Sequence, residues 1–159
     1  MTETSANKVA DYILRSCHDS GELISNLKLQ KLLYYAQAWY LALYDRSLFN
    51  DRLEAWVHGP VQPAVYGRFK HHRWDPISDQ PDDPKLPLHV SAHLDEIMQV
   101  YGVETAYALE LITHREAPWI EARAGLPADQ PSNTPLSHKS MASYYKAMAD
   151  RAANNERTT

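Results

Sequence analysis

The chain carries eight histidines, and neutral imidazole both ligates metals and moves protons near neutral pH. His89 and His93 stand four residues apart, a spacing that sets two ligands on one helix face. No cysteine cluster, no H-E-x-x-H and no acidic ligand at a defined spacing accompanies them. Surface or capping roles therefore account for the histidines, and no metal or other cofactor is expected. A small metal-dependent hydrolase, the rival reading, would have to use His58, His114 and an Asp or Glu. His71 and His72 lie beside Arg68, Lys70 and Arg73, a basic patch that could meet a phosphate or an acidic partner. A solvated helix end, whose positive groups complement the helix dipole, explains the patch without a ligand. Ser143-Tyr144-Tyr145-Lys146 matches the S-x-x-K pattern of some acyl-enzyme hydrolases, but it lies in periodic helical sequence without K-T-G or S-D-N companions. Asp82 and Asp83 read as solubilising charges in a Pro/Asp loop. G-x-S-x-G and a phosphate-cradling glycine loop are both missing from the sequence. No catalytic residue is assigned, and the chain is read as a non-enzyme.

The bulk properties limit what could position such residues. With 159 residues and 44% hydrophobic composition, the chain has apolar material for one domain with a real core. We take 1–159 as a single domain, with a core over about 9–149 and a flexible tail at 154–159. A net charge of −4 supplies no positive excess for neutralising phosphates, which disfavours DNA or RNA as a partner. Cys17 is the only cysteine, so no internal disulfide can form, and it reads as a small buried hydrophobe in a reducing compartment. No apolar run approaches the ~20 residues needed to cross a bilayer. The polar start MTETSANKVADY does not suit a signal peptide. The expectation is a cytoplasmic protein with no membrane partner.

Helical spacing runs through most of the sequence. Val9, Tyr12, Ile13 and Cys17 recur at three and four residues between the caps Thr4 or Ser5 and the stop Gly21. From Asn26 to Tyr44, Leu29, Leu32, Leu33, Ala36, Tyr40 and Leu43 share one face. The other face is barely polar, leaving Lys28, Gln30, Lys31 and Gln37 as the main wet positions. A helix apolar on most sides belongs at the centre of a bundle or against a partner. LEAWV leaves no room for a helix before Gly59-Pro60 and predicts a short strand or hairpin element near residues 53–58, with Gly59 and Pro60 turning the chain. Pro63 suits the first turn of a further helix. Residues 75–88 form a proline-rich exposed loop. Helical spacing returns at Leu94, Ile97, Met98 and Tyr101, then at Tyr107, Ala108, Leu111 and Ile112, then in a short turn at Pro118 and Trp119. After a second proline-rich loop at 125–135, a last helix runs from Ser137 to Ala153. The fold class is mainly α, a compact single-domain bundle of about five or six helices with one small strand element.

Aromatic residues carry more functional information than the polar motifs. Ten of them are tyrosines, and Tyr and Trp suit partner surfaces as well as cores. Tyr35, Trp39 and Lys28 or Lys31 share one flank of the second helix, where core packing is the simpler role. Trp56, His58 and Tyr66 cluster around the Gly59-Pro60 turn, and turns lie at the surface, where large aromatics need a reason. The candidate partner-binding set is Trp56, His58, Gly59, Pro60, Tyr66, Lys28, Lys31 and Tyr35.

Three blocks, LKLQKLLYYAQAWYLAL, LEAWVHGPVQPAVYGRF and THREAPW, in this order and spacing, resemble the Panacea domain, the SocA-like antitoxin family of bacterial and phage toxin-antitoxin systems. The matching positions run from Leu27 to Tyr35, then include Glu54, Ala55, Trp56, Gly59, Pro60, Val61, Pro63, Val65 and Tyr66, and end on Thr113, His114, Pro118 and Trp119. The resemblance spans about Val9 to Ala149. It implies a mainly helical domain without catalysis of its own that neutralises a protein toxin by binding it directly. The expected partner is a cognate protein toxin encoded by the adjacent gene. Relatives that deliver a toxin to a cytosolic protease make a proteolytic adaptor the alternative.

Overall fold

The computed structural model describes residues 2–158. In chain order the helices are α1 (Ala6–Ser20), α2 (Asn26–Tyr44), α3 (Pro63–Phe69), α4 (Leu88–Tyr101), α5 (Ala106–Thr113), α6 (Ala117–Arg123) and α7 (His138–Thr158), with strands β1 (Glu54–Trp56) and β2 (Gly59–Val61) between α2 and α3. The mainly helical architecture with one small hairpin is the expected one. Its helical material is divided into seven helices among the described residues.

Local sequence sets the helix ends. Ser5 and Ser25 each accept a hydrogen bond from the third backbone N–H of the following helix, at 3.3 Å in both cases. Gly21 closes α1 in the left-handed conformation at φ 76°. Asp45 does the same for α2 at φ 55°, a conformation that short polar side chains tolerate.

The centre of the bundle is α2, which packs against α1, α4, α5 and most extensively α7. This enclosure overturns part of the polarity reading. Gln30, Lys31 and Gln37, expected to be wet, are all buried, while Leu43 is exposed. A helix covered on nearly every side has no wet face, so its amide side chains must find partners inside the protein. Gln37 accepts from Leu48 N–H and donates to Phe49 C=O, both at 2.7 Å. Gln30 donates to Asn26 Oδ1 at 2.9 Å and accepts from Gln62 N–H at 2.8 Å. These amides fasten the irregular chain on either side of the hairpin to the central helix.

The hairpin corrects the expected turn. Trp56 pairs with Gly59, Ala55 with Pro60 and Glu54 with Val61, so Val57 and His58 form the two-residue loop and Gly59 and Pro60 belong to β2. Two-residue hairpin loops match the natural strand twist, whereas a turn at Gly59-Pro60 would set Trp56 opposite Pro63, which opens α3. Pro60 is tolerated because β2 is an edge. On the far side of β1, Ala55 N–H donates to Thr134 C=O at 2.9 Å and Leu136 N–H to Leu53 C=O at 2.8 Å. Gln62 then caps α3 by accepting from Val65 N–H at 2.9 Å, with Pro63 in the first turn as expected.

Two further boundaries differ from expectation. The loop after Asp75 is not wholly exposed, since Ile77 and Pro81 are buried. It is strapped along α1 by Ile77 N–H to Ile24 C=O at 2.8 Å, Arg15 Nη1 to Pro81 C=O at 2.8 Å and His18 Nε2 to Asp79 C=O at 2.7 Å. The last helix runs past Ala153 to Thr158, because no Gly or Pro interrupts it and each added residue closes another backbone bond. Among the described residues no helix is long and apolar enough to cross a membrane.

Candidate functional site

The three sequence blocks that are far apart along the chain meet behind the hairpin. Glu116, which opens the α6 turn, is buried. Its carboxylate accepts from the Tyr145 hydroxyl of α7 at 2.7 Å and the Tyr34 hydroxyl of α2 at 3.0 Å. Burial pushes the Glu116 carboxyl up to about 7, with the two tyrosine hydrogen bonds opposing the shift. Trp119 donates from Nε1 to Trp56 C=O at 2.9 Å. Its ring stacks on His114, with centroids 4.1 Å apart, and Arg123 lies over it at 4.8 Å. Arg123 also donates to Ala55 C=O at 3.0 Å, to Pro127 C=O at 2.8 Å and to Gln130 C=O. One guanidinium thus joins the hairpin to the loop after α6.

Lys31 is 1% exposed. Its Nζ reaches Pro60 C=O at 3.5 Å, the outer limit of a hydrogen bond. Gly59 makes this approach possible. A Cβ there would lie 2.7 Å from Lys31 Cε and 2.9 Å from Thr113 Oγ1, and the residue sits at φ 109°, where L side chains are strained. Burial draws the Lys31 ammonium down to about 8, opposed by the charge of Glu110.

On the solvent side of this scaffold lies an open groove of about 560 Å³, lined by Leu27, Trp56, Val57, His58, Val61 and Tyr66 together with the chain near Ser132. Trp56 and Tyr66 meet edge to face, 5.0 Å between centroids. Trp56 is held by Nε1 donating to Glu54 Oε1 at 2.8 Å, and Arg52 secures the same carboxylate at 2.7 Å. His58, at the tip of the hairpin, is exposed, with Nδ1 at 2.8 Å from Glu110 Oε1 of α5. Two depressions of about 300 Å³ each adjoin the groove and share Leu27 and His58 with it. Trp74, 76% exposed, lines one of them and Tyr107, 69% exposed, the other, with Leu111 one turn further along α5. Large apolar groups thus remain exposed around the groove.

A model of the antitoxin SocA-like, Panacea domain matches residues 29–120. The chain belongs to this family. Within the Panacea domain, the matched segment runs from the first turn of α2 into α6 and so contains Lys31, Tyr34, the hairpin, His114, Glu116 and Trp119, with Arg123 and Tyr145 beyond it. Antitoxin SocA of Caulobacter vibrioides is 45% identical over 64 residues, covering 40% of this chain and 34% of that protein. The chain thus aligns with about a third of that relative's length. No solved structure matches. Family membership supports an antitoxin role and a non-enzymatic one.

The Panacea signature is therefore mainly a buried framework. Among the eight candidate residues, Lys31, Tyr35, Gly59 and Pro60 are buried, whereas His58 is exposed and Trp56, Tyr66 and Lys28 are partly so. Lys28 donates to Gly102 C=O at 2.6 Å, tying α2 to the end of α4. Tyr35 stacks flat on Tyr101 at 3.8 Å. The structure brings Trp56, His58 and Tyr66 to one surface, as their spacing around the turn suggested. It adds Leu27, Trp74 and Tyr107. Helical spacing was read at Tyr107, Ala108, Leu111 and Ile112, and α5 forms there but buries Leu109 and Thr113. Helical spacing alone gives two possible faces here, and contact with α2 selects the narrower one.

The remaining motifs separate into local roles. His93 is buried and donates to Ala36 C=O at 2.9 Å, whereas His89 meets Glu3 at 2.9 Å, so the pair does not converge. His58 and His114 share no metal-type cluster among the described residues; the one such group is His71, His72 and Asp79. Arg68 of the basic patch pairs with Asp11 at 2.6 Å. Lys146 of the S-x-x-K stretch pairs with Asp45. Cys17 is buried.

Proposed function

We propose that this chain is an antitoxin that neutralises a cognate protein toxin by direct binding, with the groove around the β1–β2 hairpin as the contact surface. The observation that carries the reading is the contrast across the hairpin. Behind it, the family's signature residues form a hydrogen-bonded interior; in front, Trp56, His58 and Tyr66 line an open groove continuous with exposed Trp74 and Tyr107. Interface energy concentrates in a few aromatic anchors held rigidly by their surroundings. A framework shared by a family, carrying a surface of exposed aromatics, allows different members to meet different toxins without rebuilding the core.

The toxin is proposed to be the product of the adjacent gene. Co-expression in a host arrested by that product tests the reading. Growth restored by the wild-type chain, and recovery of the two proteins as one complex, is the expected result. A product that is harmless alone, or equally toxic with this chain present, overturns it.

A further inference from the structure

We infer that the depression over Lys31 receives a carboxylate of the protein partner, an Asp or Glu side chain flanked by apolar groups. The inference deepens the antitoxin reading and rests on it.

An ammonium carries three donors, and that of Lys31 has one acceptor, Pro60 C=O, at the 3.5 Å limit. Burying a charge with unfilled donors is costly unless a partner satisfies it. A lysine needed only to prop the hairpin could have been a Met or Leu of similar reach. The local backbone is nonetheless shaped to admit it, since any side chain at position 59 would occupy the space of Lys31 Cε. Lys31 is one of the residues lining a depression of about 300 Å³, with Leu27, His58, Ala106, Tyr107 and Glu110.

The charges that face the depression decide the sign of the guest. Glu110 is the acidic wall residue, and its Oε1 is engaged by His58 Nδ1 at 2.8 Å. Lys70 and Arg73 line the adjoining depression, which shares Leu27 and His58. Across the two depressions Lys31, Lys70 and Arg73 thus stand against the one carboxylate of Glu110, a cationic excess in a chain of net charge −4 and the complement of an acidic side chain set among apolar ones. A partner seated against Leu27 and Tyr107 would displace water from the depression, which strengthens the pairing.

The test titrates the purified product of the adjacent gene against the wild-type chain and Lys31→Met, which keeps length and removes charge. Lys31→Met is expected to bind on the order of 100-fold more weakly while melting at or above the wild-type temperature. To separate charge from hairpin placement, surface Asp and Glu residues of the toxin are changed one at a time to Asn and Gln. One position should weaken binding to the wild type and leave binding to Lys31→Met unaltered. Binding of Lys31→Met within threefold of wild type, or a scan with no such position, overturns the inference and leaves the antitoxin reading standing. A wild-type chain that does not bind the product overturns both.

Discussion

The Glu116 carboxylate of α6 and the Tyr145 hydroxyl of α7 meet at 2.7 Å in the buried centre of the protein. Tyr34 joins them from the central helix α2. The contact links residues twenty-nine positions apart, and it makes the protonation of one carboxyl a stability term. With its value raised from 4.5 to about 7 by burial, Glu116 holds its proton more tightly folded than unfolded. Stability from this source is fully present below pH 4.5 and is lost as pH rises through 7. The penalty reaches about 3 kcal/mol at higher pH. Glu116→Gln, neutral at every pH, should flatten the dependence between pH 5 and 8, and thermal melts across that range check it.

Lys31 gives the opposite slope. Its value is drawn from 10.5 down to about 8, so the unfolded chain holds the proton more tightly. The penalty is fully present below pH 8 and is relieved as pH rises toward 10.5, again by about 3 kcal/mol. Lys31→Met should therefore raise the denaturation midpoint at pH 7, the gain being reduced by the lost tie to Pro60. Urea titrations at pH 7 and pH 10 should show the gain shrink at the higher pH.

Gly59→Ala combines a left-handed backbone position with contacts of 2.7 Å to Lys31 Cε and 2.9 Å to Thr113 Oγ1. A destabilisation of at least about 2 kcal/mol is expected. Gly67, whose added Cβ meets nothing within 4 Å, is the internal control: Gly67→Ala should be neutral or slightly stabilising in the same unfolding experiment.

His58→Ala removes a hairpin-tip side chain that is 57% exposed, and the melting temperature should stay within about two degrees. Neutralisation of the toxin in a growth assay should weaken. Trp56→Ala should cost about 1–2 kcal/mol through its contact with Tyr66 and still leave a folded protein; circular dichroism shows whether it does. Complete unfolding would move Trp56 from the proposed binding surface into the framework.

Leu33 is fully buried in the central helix, so Leu33→Ala should cost about 2–5 kcal/mol without altering the pH slopes set by Glu116 and Lys31. Melts at pH 5 and 8 would show parallel losses.

Local chemistry was legible in the sequence by itself. The cap at Thr4 or Ser5, the Gly21 stop, Pro63 in a first turn and the enclosure of Asn26–Tyr44 follow from residue preferences that act within a few positions. The three signature blocks also identified the family, and the aromatics around residues 56–66 include three that line one groove, Trp56, His58 and Tyr66. Tertiary packing alone decided where the polar residues went. Gln30, Lys31 and Gln37 read as wet because spacing cannot count how many neighbours a helix will have, and the enclosed α2 turns them inward onto loop backbone. Glu116 carried no local signal at all, since its partners Tyr34 and Tyr145 lie 82 and 29 positions away. The same limit hid Tyr107: two faces of α5 satisfy helical periodicity, and only contact with α2 leaves Leu109 inside and Tyr107 in water.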